Sequence, residues 1–143
     1  MSLEKQAVEE FRNNNFNESL QLLKKFIETN PNSYEAYNFL GIVYLKLKKY
    51  DFAKNSWEKA TNINANYIDP LINIANLFIQ GEKLEIAINY LNKALLIEPE
   101  NFKLSLLLGN TYMVINKFEK ALENLNSAIK INPNNFEPYY LKG

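Results

Sequence analysis

The sequence predicts an all-α fold, an α-solenoid of stacked helix–turn–helix repeats. Equivalent residues recur 34 positions apart, as Gly41, Ala75 and Gly109 do, and a fixed period of this size indicates a repeat array. Apolar residues within each period follow helical spacing. No segment of the length of a strand alternates apolar and polar residues, as a half-buried strand would. The polar turns between helices, such as the one around Asn116, are short enough to hold neighbouring helices antiparallel.

The period divides the chain into three full repeats and two incomplete ones. Residues 1–33 form a weaker copy that keeps its second helix best, as expected of a terminal repeat with one face in water. Residues 136–143 match the first two turns of a further repeat, because Gly143 lies 34 positions beyond Gly109. We therefore expect one array over residues 1–143, either part of a longer protein or trimmed before its next helix. The full repeats are 34–67, 68–101 and 102–135.

Each full repeat contains two amphipathic helices. In the repeat 68–101 the first helix carries an apolar stripe at i, i+3, i+4 and i+7, and a second stripe follows the turn. Pro31, Pro99 and Pro133 end the second helices, because proline cannot extend a helix and disfavours the helical conformation of the residue before it. The first stripe is Leu71, Ile74, Ala75 and Phe78, and the second is Leu84, Ala87, Ile88, Leu91, Ala94 and Leu95.

Small residues recur where the two helices of a repeat face each other. Glycine inside a helix costs about 1 kcal/mol relative to alanine, so its repetition predicts a packing requirement, the close approach of the partner helix backbone. Trp57 stands where Leu91 and Leu125 stand in later repeats, which predicts a position in the core. The small residues are Gly41, Ala75 and Gly109 on the first helices and Ala53, Ala87 and Ala121 on the second.

The composition excludes several kinds of functional site. No cysteine or histidine is present, which rules out disulfides, thiolate nucleophiles, zinc sites with Cys or His ligands and histidine acid–base catalysis. Sixteen basic residues balance sixteen acidic ones, so no net field favours nucleic acid or anionic lipid. Arg12 is the only arginine, whereas bidentate recognition of phosphates or bases favours arginine. We predict no cofactor, no metal, no catalytic residue and no nucleic-acid partner.

The sequence gives no sign of a membrane or secretory segment. No run approaches the ~18 apolar residues expected of a membrane span. The first residues include acidic side chains and lack the apolar core of a signal peptide. We therefore predict no membrane association and a cytoplasmic location.

The recurring residues resemble the tetratricopeptide repeat, whose pattern is a bulky residue, Leu-Gly, Tyr, Ala, an aromatic residue, Ala and Pro. The resemblance covers essentially the whole chain. Ala65 replaces the usual proline, Ser105 replaces the bulky residue, and residues 1–33 lack the Leu-Gly pair. The matching residues are Tyr37, Leu40, Gly41, Tyr44, Ala53, Trp57 and Ala60 in one repeat, and Leu108, Gly109, Tyr112, Ala121, Leu125, Ala128 and Pro133 in another.

The resemblance implies a right-handed superhelix whose first helices line a concave groove for peptides or partner helices. One branch of the family grips the C-terminal carboxylate of chaperones with two lysines, two asparagines and an arginine. In the best register Asn73 and Lys103 match this clamp. However, Asn38, Ile42 and Leu107 stand where Lys, Asn and Arg are needed. A chaperone carboxylate clamp is therefore not expected.

Each first helix has a further face that its own core does not need. Residues on this face lie three or four positions apart and so form one stripe per helix. The stripes predict a groove with an apolar floor and asparagine amides that can pair with a peptide backbone. The same residues could instead pack against the neighbouring repeat, and the sequence leaves both interpretations open. The predicted groove residues are Asn38, Ile42, Leu45, Asp69, Ile72, Asn73, Asn76, Ile79, Lys103, Leu106, Asn110 and Met113.

We therefore expect a non-enzymatic protein–protein interaction scaffold whose groove binds a peptide or helix segment of a protein partner. The alternative is a structural element that forms homo-oligomers through exposed terminal repeat faces. The apolar residues Tyr139, Tyr140 and Leu141 near the end of the chain motivate this alternative.

Overall fold

The helices follow the predicted period. The computed structural model describes residues 1–135, and this part of the chain contains eight α-helices and no strand. Two helices lie in each of the predicted repeats within residues 1–135, which confirms the all-α repeat fold. Residues 136–143, including the three apolar residues noted near the end of the chain, lie outside the described residues. The helices are α1 (Leu3–Arg12), α2 (Phe16–Thr29), α3 (Tyr34–Lys46), α4 (Tyr50–Ile63), α5 (Asp69–Gln80), α6 (Leu84–Ile97), α7 (Phe102–Val114) and α8 (Phe118–Ile131).

The turn between the two helices of each repeat uses one residue in the left-handed conformation. The following N–H then bonds to a carbonyl five residues earlier, as Lys49 N does to Tyr44 O at 2.9 Å, in the manner of a Schellman motif. This bond ends the first helix at the same place in every described repeat. Gly81 is next to such a residue but is not the one with positive φ. The left-handed residues are Asn14 (φ 63°), Lys48 (φ 60°), Glu82 (φ 61°) and Asn116 (φ 62°).

Side-chain caps fix the start of three first helices. Ser2 accepts a hydrogen bond from Lys5 N at 3.3 Å at the start of α1. Ser33 accepts a hydrogen bond from Ala36 N at 3.2 Å at the start of α3. Asn101 accepts one from Leu104 N at 3.0 Å at the start of α7. Such caps satisfy amide groups that have no partner within the helix and typically contribute ~1 kcal/mol. The helix boundaries of the repeat are therefore set locally, by the caps and the left-handed turns.

The chain divides into two compact units, an N-terminal unit (Met1–Ile74) and a C-terminal unit (Ala75–Gly143), with the boundary inside α5. In the N-terminal unit Trp57, Leu23 and Val43 are completely buried, so the predicted core position of Trp57 is confirmed. The core cluster of the C-terminal unit consists of Ala75, Ala87, Ile88, Leu91, Leu108, Tyr112 and Ala121.

The glycines of α3 and α7 make room for side chains of the following helix. A Cβ atom added to Gly41 would overlap the Trp57 indole, and one added to Gly109 would lie 2.7 Å from Leu125 Cδ2. The predicted packing requirement is therefore present, but its expected cause is wrong. The nearest atoms belong to side chains, because the second helix inserts a large residue where the glycine leaves space. The Trp57 indole N–H also donates to the Asn38 backbone oxygen at 3.1 Å, which satisfies its buried donor.

Candidate functional site

In the N-terminal unit the predicted groove residues differ in how much of each side chain reaches solvent. Asp69 is exposed, whereas Ile42, Leu45, Ile72 and Asn73 are partly buried. The remaining residue of this set, Asn38, is buried, with 7% of its surface exposed. The residues of this face that can meet a partner are therefore mainly Asp69 and the three half-buried aliphatic side chains.

The Asn38 side chain is at the centre of a hydrogen-bond network within the N-terminal unit. Its amide nitrogen donates to the Tyr67 hydroxyl at 3.3 Å. Its carbonyl oxygen accepts from the Asn73 amide at 3.0 Å. The two asparagines thus join α3 to the start of α5, and an unpaired amide at this depth would cost about 1–3 kcal/mol. Both amides are committed at least in part to holding the fold.

Tyr67 extends this network to Asp69. Burial, the charge of Asp69 and the hydrogen bond between Asp69 and the phenol together raise the pKa of Tyr67 to about 12, and burial is the largest of these causes. The ring of Tyr67 also packs edge-on against Tyr34, with the centroids 5.0 Å apart. Tyr67 therefore fixes the Asp69 carboxylate at the first turn of α5.

Sequence reasoning did not single out Tyr67. One signal could have found it: Tyr67 occupies the repeat position at which Ser33 and Asn101 cap their helices. An aromatic residue at a capping position departs from the pattern and suggests a separate structural use. The hydrogen bond that it accepts from Asn38 comes from a residue 29 positions away, which the repeat pattern does not indicate.

In the C-terminal unit the predicted groove residues again form a mixed face. Asn76 and Lys103 are exposed, and Ile79, Asn110 and Met113 are partly buried. Ile79 and Met113 pack with one side against the core cluster of this unit. Leu106 is buried, with 9% of its surface exposed.

Asn110 differs from Asn38 in its hydrogen bonding. Its side-chain oxygen is buried and has no hydrogen-bond donor among residues 1–135. A buried acceptor without a donor is unfavourable by roughly 1–3 kcal/mol. Asn110 thus keeps an unused acceptor, whereas both polar atoms of the Asn38 amide are hydrogen-bonded.

One position of the repeat has the same character in three helices. Leu45, Ile79 and Met113 lie 34 residues apart, and each is aliphatic and partly exposed. The first turns of the same helices present exposed charged side chains, namely Glu35, Asp69 and Lys103. Each helix face thus has a charged N-terminal end and an apolar C-terminal end.

The described part of the chain shows neither a metal site nor a membrane span. Within residues 1–135 no group of three or more Asp or Glu side chains is placed to hold a metal ion. None of the helices found there is long and apolar enough to cross a membrane.

Comparison with protein families agrees with the helix pairs. Models described as tetratricopeptide repeat or TPR repeat match residues 4–60, 68–101 and 109–143. The chain belongs to the tetratricopeptide repeat family. Proteins of this family are in general non-enzymatic scaffolds for protein interactions. Their stacked repeats present extended binding surfaces.

Two curated proteins are similar to parts of the chain. The chain is 43% identical over 42 residues to the uncharacterized protein ycf37 of Pyropia yezoensis, a match covering 29% of this chain and 24% of that protein. It is 36% identical over 63 residues to the TPR repeat-containing protein MJ0263 of Methanocaldococcus jannaschii, covering 44% of this chain and 19% of that protein. The matches thus span a quarter or less of the length of these two curated relatives.

A solved structure shows the same fold at low sequence identity. A tetratricopeptide repeat protein from Parabacteroides merdae superposes with a TM-score of 0.88 at 19% identity, covering 97% of this chain and 56% of that one. This similarity supports the tetratricopeptide repeat fold.

The Tyr67 network predicts a pH dependence of stability. The raised pKa means that the folded state favours the neutral phenol, so the network's contribution is complete below pH 10 and is lost as the pH rises from 10 towards 12. Urea unfolding of the wild type and of Tyr67→Phe should show the wild type more stable at pH 8. The difference should shrink between pH 10 and 11.5, whereas a difference that stays constant over this range would contradict the assignment.

Proposed function

We propose that the chain is a non-enzymatic scaffold that binds an apolar or amphipathic peptide segment of a partner protein. The observation that carries this proposal is the repeated face of the first helices. Leu45, Ile79 and Met113 occupy one repeat position, and all three are partly exposed. A partly exposed aliphatic position that recurs in successive first helices can offer apolar contacts to a peptide segment of a partner.

The free energy of the apolar contacts alone is too small for micromolar binding, so polar contacts are needed as well. Full burial of one aliphatic side chain is worth roughly 1.5–3 kcal/mol. Well under half of Ile79 and of Met113 is exposed, so covering these exposed parts gives only about 1 kcal/mol. Micromolar binding requires about 8 kcal/mol. The remainder must come from polar contacts and further apolar contacts. Lys103, Asn76 and Asn110 are the polar candidates in the C-terminal unit, because two are exposed and the third has an unpaired oxygen.

The amides of Asn38 and Asn73 have a smaller part in this proposal than the sequence suggested. They bond to each other and to Tyr67, so a peptide backbone would have to compete with internal bonds. In the N-terminal unit we therefore assign recognition to Asp69 and the partly exposed aliphatic residues of this face, with the asparagines holding these helices in place. The aliphatic residues are Ile42, Leu45 and Ile72.

The test uses a peptide selected from a display library against the wild type, with dissociation constants measured by fluorescence polarisation. Ile72→Glu places a charge on the proposed face and should weaken binding by ~10-fold or more, since about 1.4 kcal/mol corresponds to a factor of 10. Leu96→Glu is the matched control, because Leu96 is 84% exposed and is not a residue of this face.

Circular dichroism must show both variants to be as helical as the wild type. A selected peptide that binds Ile72→Glu and the wild type equally would count against this face as the binding site. Equal weakening by Leu96→Glu would mean that the added charge acts non-specifically, and it would also contradict the proposal.

The second candidate function is self-assembly, and it is favoured by the apolar surface of the last described helix pair. Leu122 is 46% exposed, although Ile88 at the same repeat position is only 7% exposed and belongs to the core cluster. Phe118, one turn earlier on α8, is 58% exposed, and Val114 is 69% exposed. A second copy of the chain would cover these side chains.

Multi-angle light scattering over a concentration series tests this candidate. If the α8 surface joins two copies, the wild type should pass from monomer to dimer as its concentration rises. Leu122→Glu should then remain a monomer, whereas the control Leu96→Glu should behave as the wild type does. A wild type that stays monomeric at all concentrations, or a dimer that Leu122→Glu leaves intact, would rule out this surface.

A further inference from the structure

A polar cavity of about 300 Å³ lies in the C-terminal unit, between α6, α7 and α8. It shares no residue with the predicted groove. Six of its lining side chains are polar or charged, and only one of these is acidic. They are Glu85, Asn89 and Asn92 on α6, Tyr112 on α7, and Lys117 and Lys120 at the start of α8.

Tyr112 offers a hydrogen-bond donor to this cavity. The side chain is 6% exposed, so the hydroxyl is held in place by the surrounding core. Its oxygen accepts a hydrogen bond from the Asn92 amide at 3.4 Å. That bond uses a lone pair and leaves the hydroxyl hydrogen without an acceptor among the bonds of residues 1–135. A phenol hydroxyl can donate as well as accept, so this hydrogen can bond to an acceptor in the cavity.

The two lysines outnumber the single acidic residue of the lining and make the cavity positively charged. Within residues 1–135 neither Lys117 nor Lys120 forms an ion pair. The Lys120 ammonium lies over the Tyr112 ring, 5.8 Å from the ring centroid. The positive charge is therefore close to the phenol that lines the cavity. Lys117 is also the N-cap residue of α8 and makes no side-chain cap bond, so the positive end of that helix lies beside the cavity.

The earlier repeats do not build this arrangement. Tyr44 occupies the repeat position of Tyr112, but Phe52 takes the place of Lys120 and stacks on the Tyr44 ring at 5.3 Å. In the next repeat the corresponding residues are Phe78 and Ile86, which carry neither a hydroxyl nor a charge. The combination of a buried phenol with a lysine over its ring is therefore a feature of the last described repeat, and the repeat architecture alone does not require it.

We propose that this cavity binds one carboxylate group of a partner polypeptide. The hydroxyl hydrogen of Tyr112, the two ammonium groups and the amide of Asn89 supply donors that complement carboxylate oxygens, and charge-assisted bonds of this kind are the strong ones. Two lysines and Glu85 give the cavity lining a net charge of one positive unit. This charge complements a monoanion better than a doubly charged phosphate. The proposal rests on the proposed function only in taking the carboxylate to belong to a protein.

The carboxylate could be a Glu side chain or a chain terminus, and short peptides distinguish the two. The ¹⁵N-labelled protein is titrated with acetyl-Gly-Glu-Gly-amide, with acetyl-Gly-Gly-Gly carrying a free C-terminus, with acetyl-Gly-Gln-Gly-amide and with inorganic phosphate. The amide signals of Asn89, Tyr112 and residues 117–120 should move with at least one carboxylate peptide and not with the Gln peptide. The peptide that acts identifies the source of the carboxylate.

Variants of the lining residues complete the test. Lys120→Gln should weaken binding of the active peptide by ~10-fold, because a hydrogen bond to a charged group is worth about 1.5–3 kcal/mol. Tyr112→Phe removes only the hydroxyl and should also weaken it. Lys130→Gln is the matched control, since Lys130 is an exposed lysine of α8 that does not line the cavity.

Three results would overturn the proposal. These are equal binding of the Gln peptide, an affinity unchanged by Lys120→Gln, and tighter binding of phosphate than of either carboxylate peptide. The outcome is independent of the predicted groove, because Ile72→Glu should leave the peptide titration of the cavity unchanged. Failure of the cavity and failure of the groove can therefore be told apart.

Discussion

The contact on which the repeats depend is the insertion of one large side chain of a second helix into the space that a small residue leaves on the first. Trp57 fills this space over Gly41, and Leu125 fills it over Gly109. Protein cores are packed as densely as organic crystals, so the small residue and the large one must be matched to each other. The repeat 68–101 uses another matched pair, Ala75 with Leu91, and both belong to one buried cluster.

This contact also links the fold to the candidate site. The Trp57 indole donates to the backbone oxygen of Asn38, while the Asn38 side chain bonds to Tyr67 and Asn73. A residue that the sequence suggested for peptide binding is thus part of the support of α3 and α5. The proposed function therefore assigns recognition in the N-terminal unit to other residues of the face, namely Ile42, Leu45, Ile72 and Asp69.

The repeat boundaries could be predicted from the sequence because they depend on local chemistry that recurs with the period. Turn residues such as Lys48 and Asn116 occupy one repeat position and adopt one conformation. The reason for the glycines was harder to predict, because the period shows that a small residue is needed but not which atom approaches it. The candidate site was less predictable still. Asn38 and Leu106 lie at the same repeat position as Ile72, yet Ile72 is half-buried and the other two are buried, because exposure depends on side chains from other helices.

The most direct measurement of this account is a double-mutant cycle at Gly41 and Trp57, read by urea unfolding. Gly41→Ala should cost about 1–3 kcal/mol in the wild type through overpacking. In a Trp57→Leu background, which reproduces the Ala75 and Leu91 pair, the same change should cost less than about 0.5 kcal/mol. Gly81→Ala serves as the control, because a Cβ there meets its nearest neighbours only at 3.7 Å, and it should be neutral in both backgrounds. An equal cost of Gly41→Ala in the two backgrounds would contradict the claim that matched small and large residues hold the repeats together.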